Sequence, residues 1–212
     1  MTATRLCLVR HGETAWNAER RIQGQFDVPL SAVGRAQARA AANALAHEEF
    51  AAIYSSDLAR ARLTADAAAH LLGLPIRGRA ELRERHYGVL QALTYAEFAQ
   101  HHPDAYARFL AREEAFALPG GGESLRQFAD RVIRCIDEIV AAHPGGQVLV
   151  FTHGGVLDIA HRRASGKPLS APRDFEIPNT ALNWLEVERG NWRILNWADR
   201  SHLDEALDEL PG

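Results

Sequence analysis

Two of the ten histidines in the 212-residue sequence occur in the same local context. His11 follows the apolar run 6–9 and Arg10, His153 follows the apolar run 148–152, and a glycine comes directly after each histidine. Short continuous apolar runs are typical of strands that are covered on both faces. The carboxyl ends of parallel strands meet at the sheet edge where α/β proteins bind their ligands. We therefore expect the two imidazoles to face one crevice, with the glycines letting the backbone approach a ligand closely.

A third apolar run, over 50–54, precedes a predicted helix that places Arg60 in its first turn. The helix dipole disfavours a cation at this end, so an arginine here indicates a nearby anion. Arg10 and Arg60 offer planar guanidinium groups that match phosphate oxygens in pairs. Crowded cations keep imidazoles neutral, and a neutral imidazole can attack phosphorus to form a phosphohistidine. The residues therefore predict a phosphate site with a histidine nucleophile.

The leaving oxygen in such a reaction needs a proton, and segment 82–88 holds a candidate donor. Glu84 lies among basic residues in a loop-like stretch, which favours it for this role. Glu81 is a rival, and Glu84 could instead be a surface carboxylate paired with Arg83 or Arg85. The residues alone leave these interpretations open.

Five segments carry a family resemblance that covers nearly the whole chain. Segments 8–17, 21–34, 54–65, 82–88 and 152–155 resemble, in this order, motifs of the histidine phosphatase superfamily, also called phosphoglycerate-mutase-like. The first contains Arg-His-Gly-Glu-Thr, and the last reads Thr-His-Gly-Gly. Their number and order make chance agreement a poor explanation, so the chain is identified as a member of this family.

The resemblance implies a role for each matching residue. His11 would be the phosphorylated nucleophile, and Glu84 would protonate the leaving group and later take a proton from water. No metal or other cofactor is implied, because side chains supply the stabilising charge, and losing one such donor costs about 10²–10³ in rate. Asn17 and Gln23, with Thr14, would line the pocket mouth, although hydrogen bonding within the loop is the alternative for both amides. The phosphoryl oxygens would be held by Arg10, Arg60, His153 and Gly154.

Two activities compete within this resemblance. The family's cofactor-dependent mutases carry a lysine and an adjacent arginine pair in a longer insertion, whereas segment 93–118 here holds no lysine and only Arg108 and Arg112. Segment 84–88 is mutase-like, but carboxylate capture needs fixed charges. A metal-independent phosphomonoesterase is therefore favoured over a phosphoglycerate mutase that depends on 2,3-bisphosphoglycerate. Segment 177–181 also resembles the branch that includes α-ribazole phosphatase, and a non-catalytic regulator that binds phosphorylated ligands is the third hypothesis.

The elements that position these residues alternate between strands and helices along the chain. This order predicts a three-layer α/β sandwich, in which a mostly parallel central sheet is covered by helices on both faces. We expect a single domain over 1–212, with 93–122 forming a cap or insertion within it. Helices are predicted over 33–45, 58–72 and 156–163 and from Ser124 along an apolar stripe, and a hairpin over 182–197.

Composition limits the class of protein. The chain is 47% hydrophobic and 24% charged with a formal net charge of −3, values typical of a soluble globular protein. Its pI of about 6.4 provides no overall positive field to attract nucleic acid or an anionic membrane. Two cysteines make no disulfide framework, and no apolar run is long enough for a signal core or a membrane span. We expect a cytoplasmic monomer or homodimer whose partner is a small phosphorylated metabolite.

Overall fold

The computed structural model describes residues 2–203, so Met1 and residues 204–212 of the predicted domain lie outside it. The strands are β1 (Thr4–Arg10), β2 (Ala52–Ser55), β3 (Ile76–Gly78), β4 (Gln147–Thr152), β5 (Leu182–Glu188) and β6 (Asn191–Asp199). The helices are α1 (Ala15–Ala18), α2 (Ala32–Leu45), α3 (Ala59–Leu72), α4 (Tyr95–His101), α5 (Pro103–Leu110), α6 (Leu125–Ala142) and α7 (Gly154–Ser165).

The strands form one sheet in the order β3-β2-β4-β1-β5-β6. The first four strands of that order are parallel to one another. β5 runs antiparallel to β1, and β6 antiparallel to β5, as a hairpin. Arg10 pairs with Thr152 at the end of β1 and β4, so the two strands stop at the same level. A histidine directly follows each of these two strands, and the register therefore places the two histidines side by side.

Alternate residues of the central strands pack against helices on opposite sides of the sheet. Leu6 and Leu8 of β1 join an apolar cluster with residues of α6 and α7. Cys7 and Val9 join a second cluster with residues of α2 and α3. Successive side chains of a strand point to opposite faces, so a strand buried on both faces reads as a continuous apolar run. The predicted three-layer arrangement is confirmed.

Helix boundaries follow the predicted signals closely. Ser31 caps α2 by accepting the N–H of Gly34, and Ser124 caps α6 by accepting the N–H of Gln127. The stripe of α6 is buried along its whole length. Helix α7 begins at Gly154, two residues earlier than the pattern indicated. Two short elements, β3 and α1, were not predicted, because three or four residues are too few to show a periodicity.

Segment 93–122 contains α4 and α5 and packs around a small apolar cluster of its own. Leu90, Phe98, Ala105 and Leu118 are buried there together with Ile22 from the loop that follows β1. The backbone also pairs Arg21 with Thr94 in an isolated β-bridge. The segment is thereby attached to the loop that leads away from His11. Over residues 2–203, no helix combines the length and apolar character that crossing a membrane requires.

Candidate active site

The carboxyl ends of β1 and β4 bring two histidines together. The ring centroids of His11 and His153 lie 5.2 Å apart, with an angle of 58° between the ring planes. His11 is 3% exposed, and His153 is fully buried. The two imidazoles therefore share one pocket at the sheet edge.

The ring of His11 is held with one nitrogen towards its own loop. Nδ1 lies 2.7 Å from the carbonyl oxygen of Gly12, so a neutral ring carries its proton on Nδ1 and a free electron pair on Nε2. Burial lowers the pKa of His11 well below its usual value, and the charges of Arg60 and Arg10 lower it further. The imidazole is therefore neutral at pH 7, and its Nε2 is able to act as a nucleophile.

His153 stands directly before α7, where Ser56 holds its ring. Nε2 lies 2.8 Å from the hydroxyl oxygen of Ser56. Burial lowers the pKa of His153 well below its usual value, with the charge of Arg60 as the second cause. Its Nδ1 is buried and has no hydrogen-bond partner within residues 2–203. Gly154 is the first residue of α7, where the exposed N–H groups and the helix dipole favour an anion.

Arg10 ends β1, and Arg60 lies in the first turn of α3, as the sequence predicted. Arg10 donates from Nη1 to the carbonyl of Ile177 at 2.7 Å. Arg60 donates to the carbonyls of Phe26 at 2.8 Å and Gly24 at 2.7 Å. Burial lowers the pKa of Arg60 to about 10, so the group is still charged at pH 7. In both side chains the buried Nε has no partner in the described part of the chain, which leaves a donor for an anion.

Two backbone N–H groups orient the carboxylate of Glu84. Oε1 accepts the N–H of Arg85 at 2.8 Å, and Oε2 accepts the N–H of Gly155 at 2.9 Å. Gly155 is the second residue of α7 and follows Gly154 directly. Glu84 is therefore attached to the same helix terminus that begins after His153.

The rival acid Glu81 and the two arginines that could have paired with Glu84 have other partners in the structure. Glu81 is half-exposed and pairs with a neighbouring arginine at 3.0 Å. Arg83 makes a two-bonded ion pair with Asp57 at 2.7 and 2.6 Å, and the side chain of Arg85 donates to a backbone carbonyl. Neither arginine forms an ion pair with the carboxylate of Glu84. Glu84 is bound to the first turn of α7 next to His153, whereas Glu81 pairs with an arginine, so the geometry favours Glu84 as the acid at this site.

Asn17 and Gln23 are tied to the loop after β1. The hydroxyl of Thr14 lies 3.1 Å from Oδ1 of Asn17 and 3.0 Å from Oε1 of Gln23. Asn17 also completes a capping box at the start of α1 by accepting the N–H of Thr14. The side-chain oxygens of both amides are therefore used within the loop, which is the structural alternative that the sequence offered.

Three residues of the site had no role assigned from the sequence. Gly155 leaves room for Glu84, since a Cβ at this position would lie 2.1 Å from Oε1. Ser56 holds the second imidazole, and Asn179 donates from Nδ2 to the carbonyl of His11 at 2.8 Å. All three lie in segments that carried the family resemblance. Their contacts join positions far apart in the chain, so no local spacing could have assigned them.

The assembled groups define what the site can do chemically. It combines two guanidinium groups, two imidazoles held neutral by burial, a helix N-terminus and one carboxyl group. Across residues 2–203, no three His, Cys, Asp or Glu side chains are grouped so that they could hold a metal ion. Such a site can hold a phosphoryl group and present a neutral nitrogen nucleophile to it.

Comparison with known proteins agrees with this geometry. The model of the histidine phosphatase superfamily, branch 1, matches residues 6–200. Phosphoglycerate mutase-like protein 4 of Arabidopsis thaliana is 42% identical over 203 residues, which is 94% of this chain and 87% of that protein. Metal-independent phosphoserine phosphatase of the same plant is 42% identical over 202 residues, or 94% of this chain and 83% of that protein.

Solved structures share the fold as well as the sequence. A mycobacterial glucosyl-3-phosphoglycerate phosphatase superimposes with a TM-score of 0.82 at 34% identity, covering 93% of this chain and 100% of that one. The family model, over residues 6–200, spans every segment that supplies a candidate site residue. The chain belongs to the histidine phosphatase superfamily, branch 1.

Proposed function

We propose that this protein is a metal-independent phosphomonoesterase that hydrolyses a small phosphorylated metabolite through a phosphohistidine on His11. One observation carries the proposal. Nε2 of a neutral, buried imidazole is available for attack while Nδ1 is held by its own loop. Two neighbouring guanidinium groups each keep a buried Nε donor that has no partner among residues 2–203. Phosphoryl transfer to nitrogen requires a neutral nucleophile that can attack phosphorus and fixed cations that stabilise the phosphoryl charge.

In the first step, Nε2 of His11 attacks phosphorus, and a P–N bond forms as the P–O bond to the leaving group breaks. Glu84 in its carboxylic acid form donates a proton to the departing oxygen, so the product leaves as an alcohol. Arg10, Arg60, His153 and the N–H groups at Gly154 hold the oxygens of the transferring group and oppose its negative charge.

In the second step, the carboxylate of Glu84 takes a proton from a water molecule, whose oxygen attacks phosphorus as the P–N bond breaks. Inorganic phosphate leaves, and His11 and Glu84 return to their starting protonation states. The N–H groups of Arg85 and Gly155 keep the carboxylate in one place through both steps. Asn17 and Gln23 act at the mouth of the pocket, and the hydrogen bonds of both to Thr14 support a role in positioning the loop.

The relatives support hydrolysis without a metal, since one of them is a metal-independent phosphoserine phosphatase and one solved structure is a glucosyl-3-phosphoglycerate phosphatase. A phosphoglycerate mutase using 2,3-bisphosphoglycerate is the second candidate, because another relative is named as mutase-like. Phosphatase activity is favoured, because segment 93–118 holds no adjacent arginine pair. We further propose that 93–122 acts as the cap of a single working domain in the cytoplasm, and that no nucleic acid or membrane takes part.

The test uses purified full-length protein and p-nitrophenyl phosphate with EDTA present. We expect turnover to persist in EDTA and to fall by at least about 10³ in His11→Asn, because the nucleophile is lost. Brief incubation with ³²P-labelled substrate should leave an acid-labile, alkali-stable label on the wild-type chain and none on the variant. A requirement for metal, or full activity in His11→Asn, would contradict the proposal.

A second assay separates the two candidate activities. Conversion of 3-phosphoglycerate to 2-phosphoglycerate, stimulated by 2,3-bisphosphoglycerate and faster than phosphate release, would identify a mutase. Absence of both turnover and a trapped phosphoryl group with every substrate tried would instead identify a phospho-ligand-binding regulator.

A further inference from the structure

A second cavity lies beside the catalytic groups, between the cap and the loop that follows α7. Its volume is about 340 Å³. Four arginines and a single carboxylate are among the side chains around it, which is an unusual excess of positive charge. The charged lining residues are Arg85, Arg108, Arg112, Arg173 and Glu113.

Asp158 of α7 holds two of these arginines in place. Its Oδ2 accepts Nη2 of Arg112 at 2.7 Å, and its Oδ1 accepts Nε of Arg173 at 2.9 Å. The same carboxylate also accepts Nε of Arg162 at 3.0 Å. Asp158 is 4% exposed on its side chain. One buried negative charge is therefore shared among three guanidinium groups, and the cluster keeps a net positive charge.

The two arginines keep surface that a ligand can reach. The side chain of Arg173 is 46% exposed, and that of Arg112 is 19% exposed. Arg112 has a second bond, from Nε to the carbonyl of Leu169 at 2.6 Å. It also adopts a left-handed backbone with φ of 51°, a conformation that costs free energy in a non-glycine residue and is enriched at ligand sites. Both guanidinium groups are thus fixed in direction yet accessible.

Two links place the cavity near the catalytic groups: one lining residue adjoins Glu84 in the chain, and α7 carries the carboxylate that holds the cavity's arginines. Asp158 lies three residues after Gly155, whose N–H binds the carboxylate of Glu84. Residues three apart on a helix share a face at a rise of about 1.5 Å per residue, so about 5 Å of helix separates them. Arg85 lines the cavity and follows Glu84 directly in the chain. The charge of Arg173 also contributes to lowering the pKa of Arg10, after the larger effect of burial.

We propose that this cavity is a subsite for a second acidic group, a carboxylate or phosphate, carried by the leaving-group part of the substrate. Arg112 and Arg173 bind that group, and Asp158 positions them. The substrate class is therefore phosphomonoesters that bear another anionic group, and neutral or cationic phosphomonoesters are poor substrates. The inference rests on the proposed function of the neighbouring site and deepens it.

The arginines of the cap alone underestimate the positive charge around this cavity. Arg108 and Arg112 come from the cap, but Arg85 precedes it and Arg173 comes from the loop after α7. Arg108 is engaged by Glu113 at 2.7 Å. The fixed cations for acidic-group capture thus come from three separate segments, which only the fold assembles.

The test compares kcat/KM within two pairs of substrates. L-phosphoserine and O-phosphoethanolamine differ by a carboxylate, and fructose 1,6-bisphosphate and fructose 6-phosphate differ by a phosphate. We expect the more acidic member of at least one pair to be favoured by about 10- to 100-fold, the range for a charged hydrogen-bonded contact. The favoured pair identifies the acidic group as carboxylate or phosphate.

Arg173→Gln should reduce that preference to within about threefold of unity, and Arg173→Lys should keep part of it, because the charge remains without the planar fork. The matched control is Arg126→Gln, which removes an exposed arginine paired with Glu114 outside the cavity and should keep the wild-type preference. A purely structural effect of the variants alters both members of a pair alike, so their ratio cancels it.

The outcomes separate the two proposals. Hydrolysis of p-nitrophenyl phosphate without a preference in either pair, or with a preference unchanged in Arg173→Gln, overturns the subsite and leaves the phosphatase proposal standing. Failure of the wild type to hydrolyse p-nitrophenyl phosphate or any of the four substrates overturns the phosphatase proposal, and the subsite falls with it.

Discussion

Gly155→Ala adds one methyl group where α7 meets the carboxylate of Glu84. The new Cβ would lie 2.1 Å from Oε1 of Glu84 and 3.0 Å from the ring of Phe128. Ordinary contact begins at 3.4 Å, so the carboxylate must retreat by about 1 Å or rotate out of its hydrogen bond to the Gly155 N–H. The substitution therefore displaces the proposed proton donor without removing it.

The size of the effect follows from the displacement. A shift of about 1 Å in a reacting group costs about 10² in rate, and a general acid contributes about 10²–10⁴ in total. We expect kcat/KM for an alkyl phosphate such as phosphoserine, which reports the first step, to fall about 100-fold in Gly155→Ala and further in Glu84→Gln. The loss in kcat/KM for p-nitrophenyl phosphate should be smaller, because p-nitrophenolate departs without needing a proton. The assay is steady-state phosphate release with both substrates.

A glycine variant away from the site serves as the control for the added methyl group. Gly78→Ala at the end of β3 meets no atom within 4 Å and should match the wild type. A kcat/KM for Gly155→Ala within threefold of wild type on phosphoserine, or an equal loss of kcat/KM on both substrates, would refute the assignment of Glu84 as the acid.

Three further predictions test the supports of the site and the fold. Asn179→Ala removes the side-chain donor to the His11 carbonyl and should lower kcat by about 2- to 10-fold, as expected for one neutral hydrogen bond, with KM nearly unchanged in steady-state kinetics. The folded-state pKa values of His11 and His153 lie well below 6.5, so the unfolded chain binds more protons and the free energy of unfolding should decrease as pH falls below about 6.5. Urea unfolding at pH 7 and 5.5 should show a shallower decrease in His153→Asn than in wild type, and equal slopes would contradict the buried neutral state. Ser124→Ala removes the cap of α6 and should lower the free energy of unfolding by about 1 kcal/mol, measured against Ser170→Ala on the surface as the neutral control.

Much of the fold was predictable because its elements are long or strongly patterned. The apolar stripe of α6 and the caps at Ser31 and Ser124 are local signals, and the structure places helices where they predict. Strands buried on both faces read as unbroken apolar runs, as in β1 and β4. The three-residue strand β3 has a single apolar residue, Ile76, and pairing with β2 determines it rather than its own sequence.

The candidate site was predictable only in part. His11 and His153 share a sequence context that reports a strand end, and Arg60 violates the helix-dipole preference, so each has a signal of its own. Glu84 was favoured only by its basic neighbours and by the family resemblance, with Glu81 as a rival, and the structure adds that the N–H of Gly155 binds Glu84. The sequence analysis attributed the neutral imidazoles to the neighbouring cations. In the structure, burial lowers the pKa of both histidines more than those cations do.

The sequence by itself determined the family and the layer order and predicted phosphoryl-transfer chemistry, because these depend on residue types at short spacings and on periodicity. Only the tertiary structure decided how deeply the imidazoles are buried, which carboxylate faces α7, and that Arg112 and Arg173 meet at Asp158. The physical reason is that burial and charge clustering depend on contacts between residues far apart in the chain. The register of β1 against β4 and the packing of the cap bring those residues together, and neither is written in any single segment.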